Sequence, residues 1–177
     1  MAVSAELVER IRNVKLAIFD VDGVLTDGSL HYGPGGEEVK VFNTLDGHGL
    51  KMLQASGVEL AIISGRASKA LERRAKDLGI AQLFMGAENK LDMFESLLKS
   101  LSLSPAQSAG LGDDVGDLPF LSRCGFAACV PAAPAYVKQH VHYVTGAQGG
   151  HGAAREFCDL IMQYQGTWDA AMKKYLG

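Results

Sequence analysis

Two aspartates follow an apolar segment near the start of the chain. The segment 14–19 is apolar except for Lys15, and Asp20, Asp22 and Gly23 come directly after it. Such a run predicts a β-strand covered on both faces. Because Gly23 permits a tight turn, Asp22 can swing over the strand end beside Asp20. Two carboxylates placed in this way suit a hard cation such as Mg²⁺, a nucleophile and an adjacent acid/base.

Three further polar motifs follow predicted strands or open a predicted helix. They are the segment 64–66 (SGR), Lys90, and the segment 112–117 (GDDVGD) with Asp113, Asp114 and Asp117. Ligands of an open parallel sheet bind at the carboxyl ends of its strands, so these motifs should converge on one place. There they would combine carboxylates with the Ser64 hydroxyl and the Lys90 ammonium group.

Phosphoryl transfer has a use for each of these groups. A carboxylate can attack phosphorus and form an aspartyl phosphate. Mg²⁺ held by oxygen ligands neutralises charge on the phosphoryl group, and a hydroxyl and a lysine bind its remaining oxygens. A second acid protonates the leaving alcohol and then activates water.

Each motif taken alone has another interpretation. Asp-x-Asp-Gly also occurs in turns and calcium loops, but position 12 counted from Asp20 is His31, not the glutamate of an EF-hand. SGR is commonly an ordinary strand-to-helix turn, Lys90 a solvated helix residue, and GDD a helix cap. Their joint occurrence, in order along the chain, favours the catalytic interpretation.

The overall composition excludes several classes of protein. The chain has 177 residues and a net charge of −3, with no basic patch that would bind nucleic acid or an anionic membrane. Its apolar stretches are shorter than a membrane span, and the first 15 residues lack the apolar core of a secretory signal. Three cysteines without metal-ligand spacing predict reduced thiols in the cytoplasm.

The order of the predicted elements indicates the fold class. Strands are predicted at 14–19, 58–63, 83–85, 107–111, 126–130 and 141–144, and helices at 5–12, 47–56, 67–78, 88–101, 115–122 and 152–164. This alternation predicts a single α/β domain over 1–177, with a Rossmann-like parallel sheet and helices on both faces. A β-hairpin is expected at about 24–42 and a C-terminal helix and tail at about 149–177, without a cap domain.

The four motifs, in this order, resemble those of the haloacid dehalogenase superfamily. The matching segments are DVDGVLTDG, SGR, Lys90 and GDDVGDLP. The resemblance implies that Asp20 is the nucleophile and a metal ligand, and that Asp22 is the acid/base and binds the metal through its backbone carbonyl. It further implies that Asp113 is the remaining protein ligand and that Ser64 and Lys90 hold the phosphoryl group.

A wider resemblance covers nearly the whole chain. The segments DGVLTDG, FNTLDGHGLKML and GGHGAAREFCDLIM, with the hairpin, are similar to the capless family of 3-deoxy-D-manno-octulosonate 8-phosphate phosphatases. The resemblance implies a Mg²⁺-dependent enzyme of lipopolysaccharide precursor synthesis, active as a homotetramer with intersubunit active sites. The implied substrate contacts are Asp22, Asn43, Thr44, Leu45, Asp46, Gly47, Lys51, Arg66, Arg74 and Lys90. Leu45 departs from the family pattern, which has arginine at this position.

The sequence leaves two other functions open. One is a phosphatase of a nine-carbon, sialic-type acid 9-phosphate, and the other is a non-catalytic protein that binds phosphosugars. His48 is either a substrate contact or an exposed residue at a helix start. The segment 149–152 (GGHG) is either an ordinary helix lead-in or the start of a tail that reaches a neighbouring active site.

Overall fold

The computed structural model describes residues 4–176. The strands are β1 (Leu16–Phe19), β2 (His31–Tyr32), β3 (Glu38–Val39), β4 (Glu59–Ser64), β5 (Gln82–Met85), β6 (Ser108–Gly112), β7 (Phe126–Cys129) and β8 (Tyr143–Val144). The α-helices are α1 (Ala5–Arg12), α2 (Thr44–Ala55), α3 (Lys69–Leu78), α4 (Lys90–Leu101), α5 (Leu118–Leu121), α6 (Ala135–Lys138), α7 (Ala153–Gln165) and α8 (Trp168–Leu176).

Six of the strands form one parallel sheet in the order β5-β4-β1-β6-β7-β8. β1 lies between β4 and β6 and is fully buried. The chain moves outward from β1 through β4 to β5 and then returns to the other side of β1 as β6. In open α/β sheets this change of direction leaves a crevice beyond the carboxyl ends of the strands, where ligands bind.

Helices cover both faces of the sheet, which confirms the predicted fold class. Ala17 and Phe19 of β1 belong to the core layer under α1, α2, α3, α7 and α8, whereas Leu16 and Ile18 face α4 and α5. Phe157 of α7 meets Phe19 edge-on, with ring centroids 5.7 Å apart, and burying one such side chain stabilises the fold by about 1.5–3 kcal/mol. This packing fixes α7 against the strand that carries Asp20.

The predicted hairpin is present and short. β2 and β3 pair antiparallel, with His31 opposite Val39 and Tyr32 opposite Glu38. Alternate residues of an extended chain point to opposite sides. Accordingly, Val39 and Val41 are exposed on the outer side of the hairpin, while the side chain of Lys40 is only 3% exposed.

Two helices, α6 and α8, were not predicted from the sequence. α6 is a single turn, too short to give a periodic pattern. α8 does carry the i, i+3, i+4, i+7 spacing of an amphipathic helix in Trp168, Ala171, Met172 and Tyr175, and this pattern was overlooked in the sequence. Trp168, Ala171 and Met172 pack α8 against the core. Among the described residues, no helix has both the length and the apolar character of a membrane span. The single-domain organisation over 1–177 stays a prediction.

Candidate active site

Asp20 lies directly beyond β1, at the centre of the crevice. Its backbone N–H donates to the Leu111 carbonyl at 3.0 Å, which extends the β1–β6 pairing by one step, and the residue is 6% exposed. Burial, and then the charge of Asp117, raises the pKa of Asp20 to about 6, although Lys90 opposes the rise. Asp20 therefore lies in an environment that disfavours its negative charge, and a positive neighbour is needed to keep the carboxylate ionised.

Lys90 provides that neighbour from the first turn of α4. Its Nζ donates to Asp20 Oδ1 and to Asp117 Oδ1, each at 2.5 Å. Burial alone would lower the pKa of Lys90, but the Asp20 and Asp117 carboxylates raise it above the ordinary value, so the ammonium group stays charged. Asn89 begins the helix by accepting from the Leu91 N–H at 3.1 Å, which sets the position of Lys90.

The GDDVGD segment contributes Asp117, the buried carboxylate that orients Lys90. Asp117 Oδ2 accepts from the backbone N–H of Asp113 at 2.9 Å, so both Asp117 oxygens are engaged. Asp114 caps the following 3₁₀ turn by accepting from Val115 N–H at 2.7 Å. Asp117 thus supports the site through Lys90, and Asp114 does so through the local backbone.

The acidic cluster has the composition of a site for a hard cation. Carboxylate oxygens of Asp20, Asp113 and Asp117 lie within 4.8 Å of one another. Burial, followed by the charges of Asp20, Asp117 and Asp114, raises the pKa of Asp113 to about 8. Because both Asp117 oxygens are hydrogen-bonded, Asp20 and Asp113 are the carboxylates that can coordinate an ion.

Gly23 lets the chain pass close to Asp113. Its φ is +88°, and a Cβ added there would lie 2.1 Å from Asp113 Oδ2. Thr26, which is buried, organises the same turn: its Oγ1 accepts from the N–H groups of Gly23 at 3.4 Å and Gly28 at 3.2 Å. Thr26 was not among the predicted site residues, although a threonine that bonds to nearby backbone is a known turn former.

Ser64 ends β4 beside the same crevice. The residue is buried, and its Oγ accepts from the Arg66 N–H at 3.2 Å, which shapes the turn that follows the strand. The structure thus brings Asp20, Ser64, Lys90 and Asp113 to one edge of the sheet, from β1, β4, α4 and the end of β6.

Asp22 faces the hairpin. Lys40 Nζ donates to Asp22 Oδ1 and lies 2.5 Å from Glu38 Oε1. Arg66 donates to Glu38 Oε2 at 2.9 Å, and its Nε is 3.6 Å from Asp22 Oδ2. Glu38 and Lys40 were not among the predicted site residues, because nothing in the sequence pattern of a hairpin shows which of its sides docks on the body.

The predicted substrate contacts in segment 43–47 make internal bonds in this structure. Asn43 donates through Nδ2 to the Gly150 carbonyl at 3.1 Å. Asp46 accepts from the N–H groups of Gly152 at 3.2 Å and Arg155 at 2.8 Å, at the start of α7. Burial raises the pKa of Asp46, while these backbone bonds oppose the rise.

The segment 149–152 (GGHG) packs directly on the Asp22 turn. Gly150 N–H donates to the Val24 carbonyl at 2.9 Å, and a Cβ added at Gly149 would lie 1.7 Å from the Gly23 carbonyl oxygen. Asn43 and Asp46 therefore hold the GGHG segment, and the GGHG segment holds the turn that carries Asp22.

The other predicted contacts lie around this framework. Arg74 donates to the Asn43 carbonyl at 3.0 Å and lies over the Phe42 ring, and its guanidinium approaches Gly47. Thr44 and Leu45 are exposed.

Lys51 does not contact the carboxylate cluster. It lines a cavity of about 410 Å³ between α2 and α8, together with His48 and Tyr175. His48 Nε2 and Tyr175 Oη are 2.8 Å apart, so the described tail lies against its own chain.

Comparisons with known proteins agree with this geometry. Residues 30–125 match the model of the haloacid dehalogenase-like hydrolases. The 3-deoxy-D-manno-octulosonate 8-phosphate phosphatase KdsC of Escherichia coli K12 is 43% identical over 169 residues, which cover 96% of this chain and 90% of that protein.

Solved structures agree over the same length. The 3-deoxy-D-manno-octulosonate 8-phosphate phosphatase of Yersinia pestis is 42% identical, with a TM-score of 0.92 and coverage of 94% of this chain and 90% of that one. The Moraxella catarrhalis phosphatase of the same name, in complex with magnesium, phosphate and KDO, is 39% identical, with a TM-score of 0.94 and coverage of 96% and 98%. The chain therefore belongs to the haloacid dehalogenase-like hydrolases, and among them it groups with the 3-deoxy-D-manno-octulosonate 8-phosphate phosphatases.

The half-buried Asp113 carboxyl predicts a pH-dependent stability in buffer free of divalent cations. Its pKa is about 8 in the folded protein and about 3.9 in an unfolded chain, so the folded state binds the proton more tightly between these values. The free energy of unfolding should therefore fall as pH rises from about 5 to about 8. In Asp113→Asn this contribution is absent, so the variant should gain stability relative to the wild type as pH rises.

Urea unfolding at several pH values, with EDTA present, measures this difference. Glu95→Gln, which removes an exposed carboxylate from α4, is the control and should keep the wild-type pH profile. A difference between wild type and Asp113→Asn that does not change with pH would contradict the assigned ionisation.

Proposed function

We propose that the protein is a Mg²⁺-dependent phosphatase that hydrolyses 3-deoxy-D-manno-octulosonate 8-phosphate to the free sugar acid and phosphate. The observation that carries the proposal is the buried Asp20 carboxylate, 2.5 Å from Lys90 and close to Asp113 at the centre of the crevice. A nucleophile, a fixed cation and a metal-type carboxylate pair meet there, as phosphoryl transfer requires. The family relationship adds the reaction class.

The reaction begins with Asp20. One of its carboxylate oxygens attacks phosphorus and forms an aspartyl phosphate, while Asp22 donates a proton to the departing sugar oxygen. Asp22 then takes a proton from the water that hydrolyses the aspartyl phosphate. Ser64 and Lys90 hold the phosphoryl oxygens during both steps.

Asp20, Asp113 and the Asp22 backbone carbonyl are the groups that would bind Mg²⁺. The raised pKa of Asp113 fits this role, because an adjacent cation relieves the repulsion among the buried acids. When bound, Mg²⁺ supplies positive charge that stabilises the phosphoryl oxygens in the transition state.

The substrate assignment draws on the relatives and on the cations around the site. The substrate has a carboxylate as well as a phosphate, and Arg66 stands at the mouth of the crevice with its side chain 43% exposed. Arg74 and Lys51 are the other cations proposed to bind the sugar acid. The remaining proposed substrate contacts lie in segment 43–47, which includes Thr44, Leu45 and Gly47. Because Leu45 replaces an expected arginine, a nine-carbon acid 9-phosphate is the alternative substrate.

A purified-enzyme comparison of the two sugar acid phosphates tests the substrate. With Mg²⁺ present, phosphate release from 3-deoxy-D-manno-octulosonate 8-phosphate should have a kcat/KM at least about tenfold above that of the nine-carbon compound, about 1.4 kcal/mol of transition-state preference. The Leu45→Arg variant shows whether this position contributes to the choice. A higher kcat/KM for the nine-carbon substrate would reverse the assignment, and binding without turnover of either would favour the non-catalytic function.

We also propose that the protein works in the cytoplasm as a homotetramer with active sites shared between subunits. Within residues 4–176 the small hairpin is the only cover over the site, and much exposed apolar surface lies on that hairpin and at the start of α2. These exposed side chains are Leu30, Tyr32, Val39, Val41 and Leu45. Exposed apolar clusters are typical of protein interfaces. A neighbouring subunit docked there would close the crevice and exclude water.

Light scattering across a dilution series tests this assembly. We expect a tetramer for the wild type, and smaller species with reduced activity for Val41→Asp, which places a charge in the proposed interface. Val144→Asp, at an exposed position of β8 away from the hairpin, is the matched control. A wild-type monomer with full activity would refute the shared-site proposal.

A further inference from the structure

Lys40 is the most deeply buried cation that the proposed mechanism does not yet use. Its side chain is 3% exposed, although its neighbours Val39 and Val41 are exposed. A lysine is almost never buried to this degree without a charged partner. Here the partners are Asp22 and Glu38. The hairpin thus carries an ammonium group onto the proposed acid/base.

Four alternating charges form a closed cluster between the hairpin and the body, which we call the hairpin charge cluster: Asp22, Lys40, Glu38 and Arg66. Lys40 binds Asp22 and lies 2.5 Å from Glu38, and Glu38 accepts from Arg66 at 2.9 Å. Arg66 completes the ring at 3.6 Å from Asp22 Oδ2. Burial alone would lower the pKa of Lys40, but the adjacent Asp22 and Glu38 carboxylates raise it.

The two oxygens of Asp22 are in different surroundings. Oδ1 is held by Lys40, whereas Oδ2 has only the longer contact with Arg66, whose side chain is partly solvated. A carboxylate on a turn can rotate, and rotation moves a proton donor out of line with its acceptor. A bond that fixes one oxygen leaves the other in a defined position, and such positioning is a large part of acid–base catalysis.

We propose that Lys40 is a positioning residue that fixes the Asp22 carboxyl group for proton transfer to the leaving oxygen, and that Glu38 keeps Lys40 in place. The inference rests on the proposed phosphatase function. The Asp22 carboxylate takes up a proton from water before the reaction. In the first step the Asp20–phosphorus bond forms, the bond from phosphorus to the leaving oxygen breaks, and the proton on Asp22 moves to that oxygen. Lys40 neither loses nor gains a proton.

A purely structural role, in which Lys40 only attaches the hairpin, gives a different experimental result. An alkyl phosphate needs a proton on its leaving oxygen, whereas p-nitrophenyl phosphate releases a stable phenolate. Misplaced Asp22 therefore slows the first substrate much more than the second. A displaced hairpin instead lowers the rates on both substrates by the same factor. Neither of these small esters has a sugar acid for the hairpin to bind, so the hairpin cannot distinguish them.

The test is the kcat/KM of Lys40→Met on an alkyl phosphate and on a series of substituted phenyl phosphates, with Mg²⁺ present. We expect a loss of about 10- to 100-fold for the alkyl phosphate but less than about threefold for p-nitrophenyl phosphate, since acid catalysis is worth at least about 10²-fold. Lys40→Arg, which retains a cation, should recover part of the loss. Glu38→Gln should show the same pattern as Lys40→Met more weakly.

Two variants serve as controls. Glu37→Gln changes the exposed glutamate next to Glu38, and Lys99→Met removes an exposed lysine from the last turn of α4. Both should match the wild type on every substrate. Thermal unfolding of each variant checks the fold, and if Lys40→Met does not fold, Lys40→Arg and Glu38→Gln decide the question.

An equal loss on alkyl and aryl phosphates, or no loss on either, would overturn the role of Lys40. Failure of the proposed phosphatase function can be told apart from failure of the Lys40 role, because it is seen in the wild type. Hydrolysis of aryl phosphates without hydrolysis of the sugar acid phosphate would refute the substrate, while the leaving-group difference would still decide the role of Lys40. A wild type inactive on all esters would refute both.

Discussion

The Lys90 ammonium group, held between the Asp20 and Asp117 carboxylates, is the interaction on which the site depends. All three groups lie in a crevice with little solvent, where an unpaired charge is costly. Lys90 allows Asp20 to remain buried and partly ionised, and Asp117 orients Lys90. With Asp113 nearby, the crevice still holds more acidic than basic groups. This excess of negative charge is what makes a divalent cation a fitting ligand.

The turn that carries Asp22 is held in place by two separate parts of the chain. On one side the GGHG segment lies against Gly23 with no room for a side chain at Gly149, and Asn43 and Asp46 hold that segment. On the other side Lys40 binds the Asp22 carboxylate. Segments separated by more than a hundred residues in the sequence therefore position the turn that carries Asp22. This arrangement gives Asn43 and Asp46 a framework role as well as the substrate contacts proposed for segment 43–47.

Much of the site could be predicted because it follows from sheet topology. Asp20, Ser64 and Asp113 stand directly after or at the ends of strands whose apolar patterns are clear, and parallel strands bring their carboxyl ends together. Glu38 and Lys40 could not be predicted, because their role depends on how a hairpin with two-residue strands docks on the body. α8, in contrast, was predictable: Trp168, Ala171, Met172 and Tyr175 have the helical spacing i, i+3, i+4, i+7, and the first three of them pack on the core.

The proposed role of Asp20 as the nucleophile of phosphoryl transfer predicts a covalent intermediate on that residue. The most direct measurement is mass spectrometry of peptides from enzyme acid-quenched during turnover of radiolabelled substrate with Mg²⁺. We predict label in the peptide that contains Asp20, and neither label nor phosphate release in Asp20→Asn, with the fold retained. Phosphate release by Asp20→Asn at the wild-type rate, or label on a different residue, would contradict the role of Asp20 as the nucleophile.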